Sequence, residues 1–193
     1  MFPTALTNVR LRELVQVARK CYDRAWCAGT AGNFSVRSPN AIWMSPSGWS
    51  KGELRPSQFI PVSHDTGLNF TYELGKPSLE TPVHLSIYRE IPYAKCVVHA
   101  HPPHALMTSL TRDFFTFTNH ELVKIFTRGA HTDLIEIPIF PNPENTKNFE
   151  LKNFDSSQNF PIILAGHGVY AYGQSAHEAL SYLEAVENLC LYL

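Results

Sequence analysis

Histidines are the residues of this chain whose spacing points most directly to chemistry. His99 and His101 follow the apolar run Cys96–Val98, and His167 stands between two glycines after a second apolar run, Ile162–Ala165. Side chains repeat on one face of a strand at every second residue, so His99 and His101 are expected to point the same way, where a third imidazole can join them. Three histidines with an open fourth position are typical of catalytic zinc. The sequence therefore predicts one Zn²⁺ per subunit on these residues, against the alternative that some of the nine histidines cluster through turn chemistry alone.

Two segments rich in glycine and hydroxyl side chains suggest an anion site. Gly29–Asn33 lies between the first predicted helix and the first predicted strand, and Ser45–Gly48 ends the next extended segment. Backbone amides and hydroxyl groups in such turns can surround a phosphate without an arginine cluster. Lys51 could add positive charge nearby and could equally be a solvated surface residue. Neither segment has the glycine spacing of a Walker or dinucleotide motif, so ordinary turns remain the simpler interpretation of these residues alone.

Two glutamates stand where they could move protons beside a metal ion. Glu80 comes at the start of a predicted helix whose N-cap is predicted to be Ser78, and Glu121 precedes another apolar helix face. A carboxylate near a helix N-terminus also stabilises the helix as a cap or through the dipole, so both interpretations stay open. Lys124, three residues beyond Glu121, is predicted to form an ion pair on the helix surface.

Alternating helices and extended segments must position these residues. Helical spacing predicts helices over about residues 7–26, after Pro77-Ser78, over 102–110, around 121–124 and over 175–193. Period-two patterns and turn residues predict strands over 34–36, 41–44, 59–62, 95–101, 134–140, 162–165 and 169–172, whereas 143–160 shows no clear pattern. Three aromatic residues are interpreted as core or subunit-contact residues rather than a ligand pocket: Phe114, Phe115 and Phe117. The mixture predicts an α/β domain in which helices cover a mostly antiparallel or mixed sheet.

Composition favours one domain over residues 1–193 and excludes several function classes. Hydrophobic residues make up 44% of the chain, enough to bury a core without disulfides, and the net charge of −1 offers no basic stripe for nucleic acid. No stretch approaches the roughly 20 apolar residues of a membrane span, and the first residues do not resemble a secretory signal. The four cysteines lack Cys-x-x-Cys spacing and are predicted to be reduced, buried thiols. A cytoplasmic protein is expected.

In combination and in order, these motifs resemble the class II aldolase and adducin-head family over nearly the whole chain. The matching segments are Gly29–Asn33, Ser45–Gly48, Lys76–Glu80, His99–His101 and Gly166–Gly168. The resemblance implies a three-layer α/β/α subunit, a homotetramer with active sites between neighbours, and zinc on His99, His101 and His167. It also implies a small sugar-phosphate substrate and places Glu80 at the acid/base position of the aldolases. The residues that it implies for phosphate binding are Thr30, Asn33, Ser47, Gly48 and Ser78.

Three further segments are most similar to one branch of this family. They are Lys51–Pro56, Glu121–Lys124, and Ile137–Phe140 followed by Asn142. The branch consists of dehydratases that remove water from a methylthio-substituted pentulose 1-phosphate in methionine salvage. This resemblance implies that Glu121 transfers a proton in the reaction, with Glu80 sharing or replacing that role. An aldolase or epimerase using the same zinc chemistry is the alternative enzyme, and a non-enzymatic assembly domain like the adducin head is disfavoured by the three retained histidines.

Overall fold

The computed structural model describes residues 3–70, 75–146, 149–151, 154 and 158–193. Within these ranges the helices are α1 (Ala5–Asp23), α2 (Thr81–Glu90), α3 (Pro103–Thr108), α4 (Lys124–Thr127) and α5 (Ala176–Cys190). The strands are β1 (Asn33–Arg37), β2 (Ile42–Met44), β3 (Ile60–Val62), β4 (Cys96–Ala100), β5 (Phe114–Phe117), β6 (Ile135–Phe140), β7 (Ile162–Leu164) and β8 (Gly168–Gly173). Most predicted elements are thus confirmed within a few residues, and several of the residues in 143–160 lie outside the described ranges.

These strands form one mixed sheet in the order β3-β2-β1-β4-β8-β7-β6-β5. Neighbouring strands are antiparallel except β6 and β7, which run parallel, so the predicted mostly antiparallel or mixed sheet is confirmed. The edge strand β5 was not predicted. Its Phe115 and Phe117 are buried in the core as expected, whereas Phe114 on the opposite face is 51% exposed.

Helices cover both faces of the sheet, which confirms the three-layer α/β/α architecture. On one face, α1 and α5 bury Leu14 and Leu183 against strand residues such as Val98. On the other face, α2 buries Val83 and Ile87 in a second apolar cluster. Each fully buried aliphatic side chain contributes about 1.5–3 kcal/mol, so packing on both faces fixes the positions of the strand ends.

Strand alternation sorts polar side chains onto the α2 side of the sheet. In β4, Val98 faces the α1 and α5 layer, while His99 on the opposite face contacts Glu80 at the start of α2. Ser35 of β1 and Tyr170 of β8 form hydrogen bonds toward α2 as well. The period of two therefore concentrates hydrogen-bonding groups between the sheet and one helix.

The start of α2 corrects one sequence prediction. Its N-cap is Glu80 and not Ser78. The Ser78 carbonyl accepts a hydrogen bond from Thr81 N at 3.1 Å, and this turn delays the helix by two residues. By contrast, Ser175 caps α5 as expected from the predicted start of the last helix, because its Oγ accepts from Glu178 N at 3.1 Å.

All four cysteines are buried and free, as predicted. Among the described residues, no helix combines the length and apolarity needed to cross a lipid bilayer.

Candidate active site

The three predicted histidines converge at one end of the central strands. His99 lies near the end of β4, His101 follows that strand, and His167 lies in the turn between β7 and β8. One side-chain nitrogen of each imidazole lies within 4.8 Å of those of the other two. The Nε2 atoms of His99 and His101 are 3.0 Å apart. This grouping could hold one metal ion.

Hydrogen bonds on the far side of two rings fix their orientation. His99 Nδ1 lies 3.0 Å from the Val169 carbonyl oxygen, and His167 Nδ1 lies 3.1 Å from Asn142 Oδ1. Both oxygens accept, so each Nδ1 carries a proton and donates, and each ring turns its Nε2 toward the cluster. Second partners of this kind are typical of metal-binding histidines. Asn142 entered the sequence analysis only as part of a resembling segment, and its contact with His167 gives it a physical role.

Burial keeps His99 and His101 in the neutral form that a metal ion needs. Complete burial lowers the pKa of His99 well below its usual range. Burial and the proximity of His167 lower the pKa of His101 as well. Neutral imidazoles are the ligand form, and three of them suit a divalent transition-metal ion such as Zn²⁺. The residues present therefore fit the expected metal.

Gly168 allows the two histidine-bearing elements to approach each other. A Cβ atom at this position would lie 2.6 Å from His101 Cδ2 and 2.7 Å from the Ala100 carbonyl oxygen. Both distances are far shorter than van der Waals contact, so a side chain here would force β4 and β8 apart at the cluster. The glycine after His167 is a requirement of the site geometry.

Glu80 brings a carboxylate to the same cluster from the first residue of α2. Its Oε1 lies 2.9 Å from His167 Nε2, and its Oε2 lies 3.4 Å from His99 Nε2. Asn33 Nδ2 and the Tyr170 hydroxyl both donate to Oε2. Burial opposes ionisation, but the hydrogen bonds from His167 and Asn33 and the proximity of His99 hold the pKa of the Glu80 carboxyl well below its usual range. An ionised carboxylate at this point can attract a cation or accept a proton from a substrate.

Tyr170 is a site residue that sequence reasoning missed. It is fully buried, its ring stacks on that of His99 with centroids 3.8 Å apart, and its hydroxyl lies 2.9 Å from Glu80 Oε2. The register of β4 and β8 pairs His99 directly with Tyr170. The available signal was the period of β8, because Tyr170 stands two residues beyond Gly168 on the face that packs toward α2.

A cavity of about 350 Å³ adjoins the cluster at Glu80 and His101. The two serine segments at its wall are joined by backbone hydrogen bonds, from Ser47 N to the Lys76 carbonyl at 2.9 Å and from Ser78 N to the Ser45 carbonyl at 3.3 Å. The cavity is lined by every residue that the family resemblance implied for phosphate: Thr30, Asn33, Ser47, Gly48 and Ser78. The structure thus brings the two predicted anion segments and the helix start together beside the histidines.

Lys51 supplies a buried positive charge to this cavity. Its side chain is only 1% exposed, and Nζ donates to the carbonyl oxygens of Thr30 and Trp49, both at 2.7 Å. Burial lowers the pKa of Lys51, whereas Cys27 and Glu80 oppose this effect. Thr30 adopts a φ of 68°, a strained conformation for a β-branched residue, and its carbonyl is held by the ammonium group. Lys51 therefore adds charge and also links the two anion segments, through Thr30 in the first and through Trp49, which directly follows the second.

Glu121 lies away from this site within one chain. Its side chain is 73% exposed and forms an ion pair with Lys124 at 2.6 Å, as predicted for Lys124. Glu121 does not line the cavity that holds Glu80 and His101.

Residues 12–193 match the sequence signature of the class II aldolase and adducin N-terminal domain family, and the chain belongs to that family. A methylthioribulose-1-phosphate dehydratase from Methylococcus capsulatus is 34% identical over 191 residues, covering 94% of this chain and 91% of the relative. A protein of the same name from Pseudoalteromonas translucida is 31% identical over 196 residues, covering 94% of this chain and 89% of the relative. Both the family and the dehydratase resemblance inferred from the sequence are confirmed.

Solved structures confirm the fold. The L-fuculose-1-phosphate aldolase from Thermus thermophilus superposes with a TM-score of 0.77 at 23% identity, covering 95% of this chain and 92% of that one. A sugar-phosphate aldolase from Thermotoga maritima gives a TM-score of 0.70 at 20% identity, with coverages of 95% and 93%.

Proposed function

We propose that this chain is a methylthioribulose-1-phosphate dehydratase of methionine salvage. Its reaction would be the zinc-dependent loss of water from 5-methylthioribulose 1-phosphate, giving 2,3-diketo-5-methylthiopentyl 1-phosphate. The observation that carries the proposal is the similarity to relatives of this name over 94% of the chain. A histidine cluster, a half-buried carboxylate and an anion-suited cavity in contact with one another are the features that such a reaction requires.

His99, His101 and His167 would hold the metal ion. When bound, the ion supplies Lewis acidity that stabilises negative charge developing on substrate oxygens. The chain's own contribution is to keep His99 and His101 neutral through burial, and to orient His99 and His167 through the bonds to Val169 and Asn142.

The two anion segments and Ser78 would bind the phosphate group of the substrate. This contact would position the reacting carbons of the substrate. Ser47, Gly48 and Ser78 line one wall of the cavity, and the Lys51 ammonium adds charge beside them. Glu80 lines the same cavity and contacts the histidines. Fixing both ends of a small substrate in this way converts binding energy into orientation, which can remove several kcal/mol of the barrier.

The dehydration itself requires two proton transfers by carboxylates. A base removes the C3 hydrogen as a proton, and the hydroxyl group on C4 departs as water after protonation. The resulting enol then becomes the diketone by gaining a proton at C4 and losing the proton of its C3 hydroxyl group. We assign these transfers to Glu80, which lies in the cavity, and to Glu121, which an adjacent subunit would supply. One carboxylate can act first as base and then as acid, so the pair covers every step.

We further propose that residues 1–193 form one domain of a cytoplasmic homotetramer with active sites between subunits. The family resemblance supports the assembly, and the exposed position of Glu121 is consistent with a site completed by a neighbour. The four free, buried thiols are those expected in a reducing compartment.

The proposed function is tested by product analysis with the purified, metal-counted protein. Incubation with methylthioribulose 1-phosphate should give a product lighter by one water, with the absorbance of a diketone or its enol. His99→Ala should lose bound metal and reduce turnover by more than about 100-fold, because the remaining two imidazoles leave the ion weakly held.

Other products would contradict the proposal in distinct ways. Two carbon fragments would indicate an aldolase, and an inverted sugar phosphate of unchanged mass would indicate an epimerase. Undiminished turnover by His99→Ala would refute the metal-dependent scheme altogether.

A further inference from the structure

A row of buried polar side chains runs from the candidate active site into the layer between β1 and α2. We call it the polar row, and its members are Asn33, His84, Ser35 and Tyr88. Each member is at most 4% exposed. Its outer end donates to Glu80 through Asn33 Nδ2.

Side chains of β1 and α2 alternate along this row. Asn33 and Ser35 are two residues apart in β1 and therefore lie on the same face of the strand. Glu80, His84 and Tyr88 follow at intervals of four and therefore stack on one face of α2, one per helical turn. The strand and helix contributions alternate along the row, so Asn33, His84 and Ser35 are each held by two neighbours from the opposite element, and Tyr88 ends the row with one, Ser35.

The hydrogen bonds of the row have one consistent direction. An ionised Glu80 only accepts, so Asn33 donates to it and presents Oδ1 inward, where His84 Nε2 lies within hydrogen-bond distance. His84 Nε2 must then carry the proton, which leaves Nδ1 to accept from Ser35 Oγ at 2.7 Å. Ser35 Oγ in turn accepts from the Tyr88 hydroxyl at 2.8 Å.

His84 is suited to this place because it stays neutral. Complete burial lowers the pKa of His84 to about 3, so the ring offers one donor and one acceptor at neutral pH. Each nitrogen has one partner of the matching kind. An apolar side chain would leave the Asn33 carbonyl oxygen without this donor, and its amide would lose the restraint that keeps Nδ2 toward Glu80.

We infer that His84 is a positioning residue for the reaction: through Asn33 it fixes the Glu80 carboxylate beside the histidine cluster. The inference rests on the proposed function for the identity of the reaction, and it concerns a residue that does not line the cavity. With Asn33 and Tyr170 both donating to Oε2, Oε1 is left facing His167. Loss of the hydrogen bond from His84 to Asn33 would let the Glu80 carboxylate adopt other rotamers. The anion segments that line the cavity would keep their shape.

The test compares His84→Leu and His84→Gln with a matched control, Ser86→Ala. His84→Leu should lower kcat by about 10- to 100-fold with KM changed by less than about 3-fold, since alignment and not phosphate binding is lost. His84→Gln retains an amide donor and acceptor and should recover kcat to within about 5-fold of the unmodified chain. Ser86 is a buried residue of the same helix that bonds to Leu151 N instead of the row, so Ser86→Ala should lower Tm and leave kcat unchanged.

Two results would overturn the inference. One is a kcat for His84→Leu within about 3-fold of the unmodified chain after correction for folded protein; the other is an equal loss in Ser86→Ala. If His84→Leu does not fold, Ser35→Ala removes the donor to Nδ1 and should lower kcat by about 3- to 10-fold at constant KM. Unchanged kcat in that variant would count equally against the inference.

Crystal structures of the unmodified protein and of the Leu variant separate this inference from the proposed function. The bond from Asn33 Nδ2 to Glu80 Oε2 should be present in the first and lost in the second. An unchanged Asn33 and Glu80 in the variant would refute the positioning role, whatever reaction the enzyme catalyses. Absence of water loss from the proposed substrate by the unmodified protein would refute only the proposed function.

Discussion

The ammonium group of Lys51 is buried where the two anion segments, Gly29–Asn33 and Ser45–Gly48, meet. Removing such a charge from water is costly unless hydrogen bonds and opposite charge compensate it. Here the carbonyl oxygens of Thr30 and Trp49 accept hydrogen bonds from two of its three N–H groups, and the ammonium group lies beside the cavity. The position is therefore stabilised by the loops and further favoured when an anion binds.

Lys51→Met is expected to weaken phosphate binding more than it slows chemistry. We predict a rise of about 10-fold in KM for the sugar phosphate and in the inhibition constant of inorganic phosphate, because one buried charge-assisted contact is worth about 1.5–3 kcal/mol. Steady-state kinetics with phosphate as inhibitor measures both values. Lys20→Met, which removes an exposed lysine of α1, is the control, and an unchanged phosphate inhibition constant in Lys51→Met would argue against a role in the anion site.

At the scale of elements, the end of β4 and the β7–β8 turn build the metal centre together. His99 and His101 come from the end of β4, and His167 comes from the turn. The distance between the imidazoles of the two elements is set by how closely Gly168 lets the two backbones approach. The geometry of the cluster is thus a property of strand packing as much as of the imidazoles.

Gly168→Ala should therefore impair metal binding through the backbone. Its methyl group would collide with His101 and Ala100, and we expect a loss of about 1–3 kcal/mol in stability together with less than full metal occupancy. Thermal unfolding and metal analysis measure the two effects. Gly75→Ala is the matched control, since that glycine also has positive φ but no atom of the described residues lies within 4 Å of the added carbon. Full occupancy in both variants would contradict the prediction.

Periodic features of the sequence predicted much of the fold and part of the site. The His-x-His spacing after an apolar run placed two imidazoles on one face, and turn-forming glycines and serines marked the cavity loops. Contacts between remote segments carry no such local signal: Tyr170 meets His99 only through the β4–β8 register, and His84 meets Asn33 across β1 and α2. The strand β5 was missed because Phe-Phe-Thr-Phe is apolar on both faces and shows no alternation.

At the scale of the whole molecule, the two predicted catalytic glutamates lie in different settings. Glu80 is held by Asn33, Tyr170 and His167, whereas Glu121 is exposed on a surface turn. The proposed tetramer would bring both carboxylates into one site by combining two chains in a symmetric assembly.

Mixing two inactive variants tests this arrangement. Glu80→Gln and Glu121→Gln should each lose most activity, because an amide cannot transfer the required proton. After subunit exchange at equal amounts, about one quarter of the sites in a cyclic oligomer would pair an intact Glu80 with an intact Glu121 from the neighbour, and activity should rise accordingly.

The unmixed variants carried through the same exchange are the control, and light scattering establishes the assembly. No recovery from a verified mixed oligomer would mean that the neighbour does not supply Glu121. Full activity of Glu121→Gln alone would remove that residue from the mechanism.

The polar row also has a consequence for engineering heat resistance. Ser35 and Tyr88 are buried polar groups that a redesign for denser packing would replace first, and exchanging hydrogen-bonded pairs for well-fitted apolar ones is often neutral or stabilising. Such changes would remove hydrogen bonds that hold His84 and would thereby weaken the positioning of the Glu80 carboxylate. Selection of variants by melting temperature alone would thus accumulate more stable proteins that turn over more slowly, a trade-off between stability and catalysis that arises at residues outside the cavity lining.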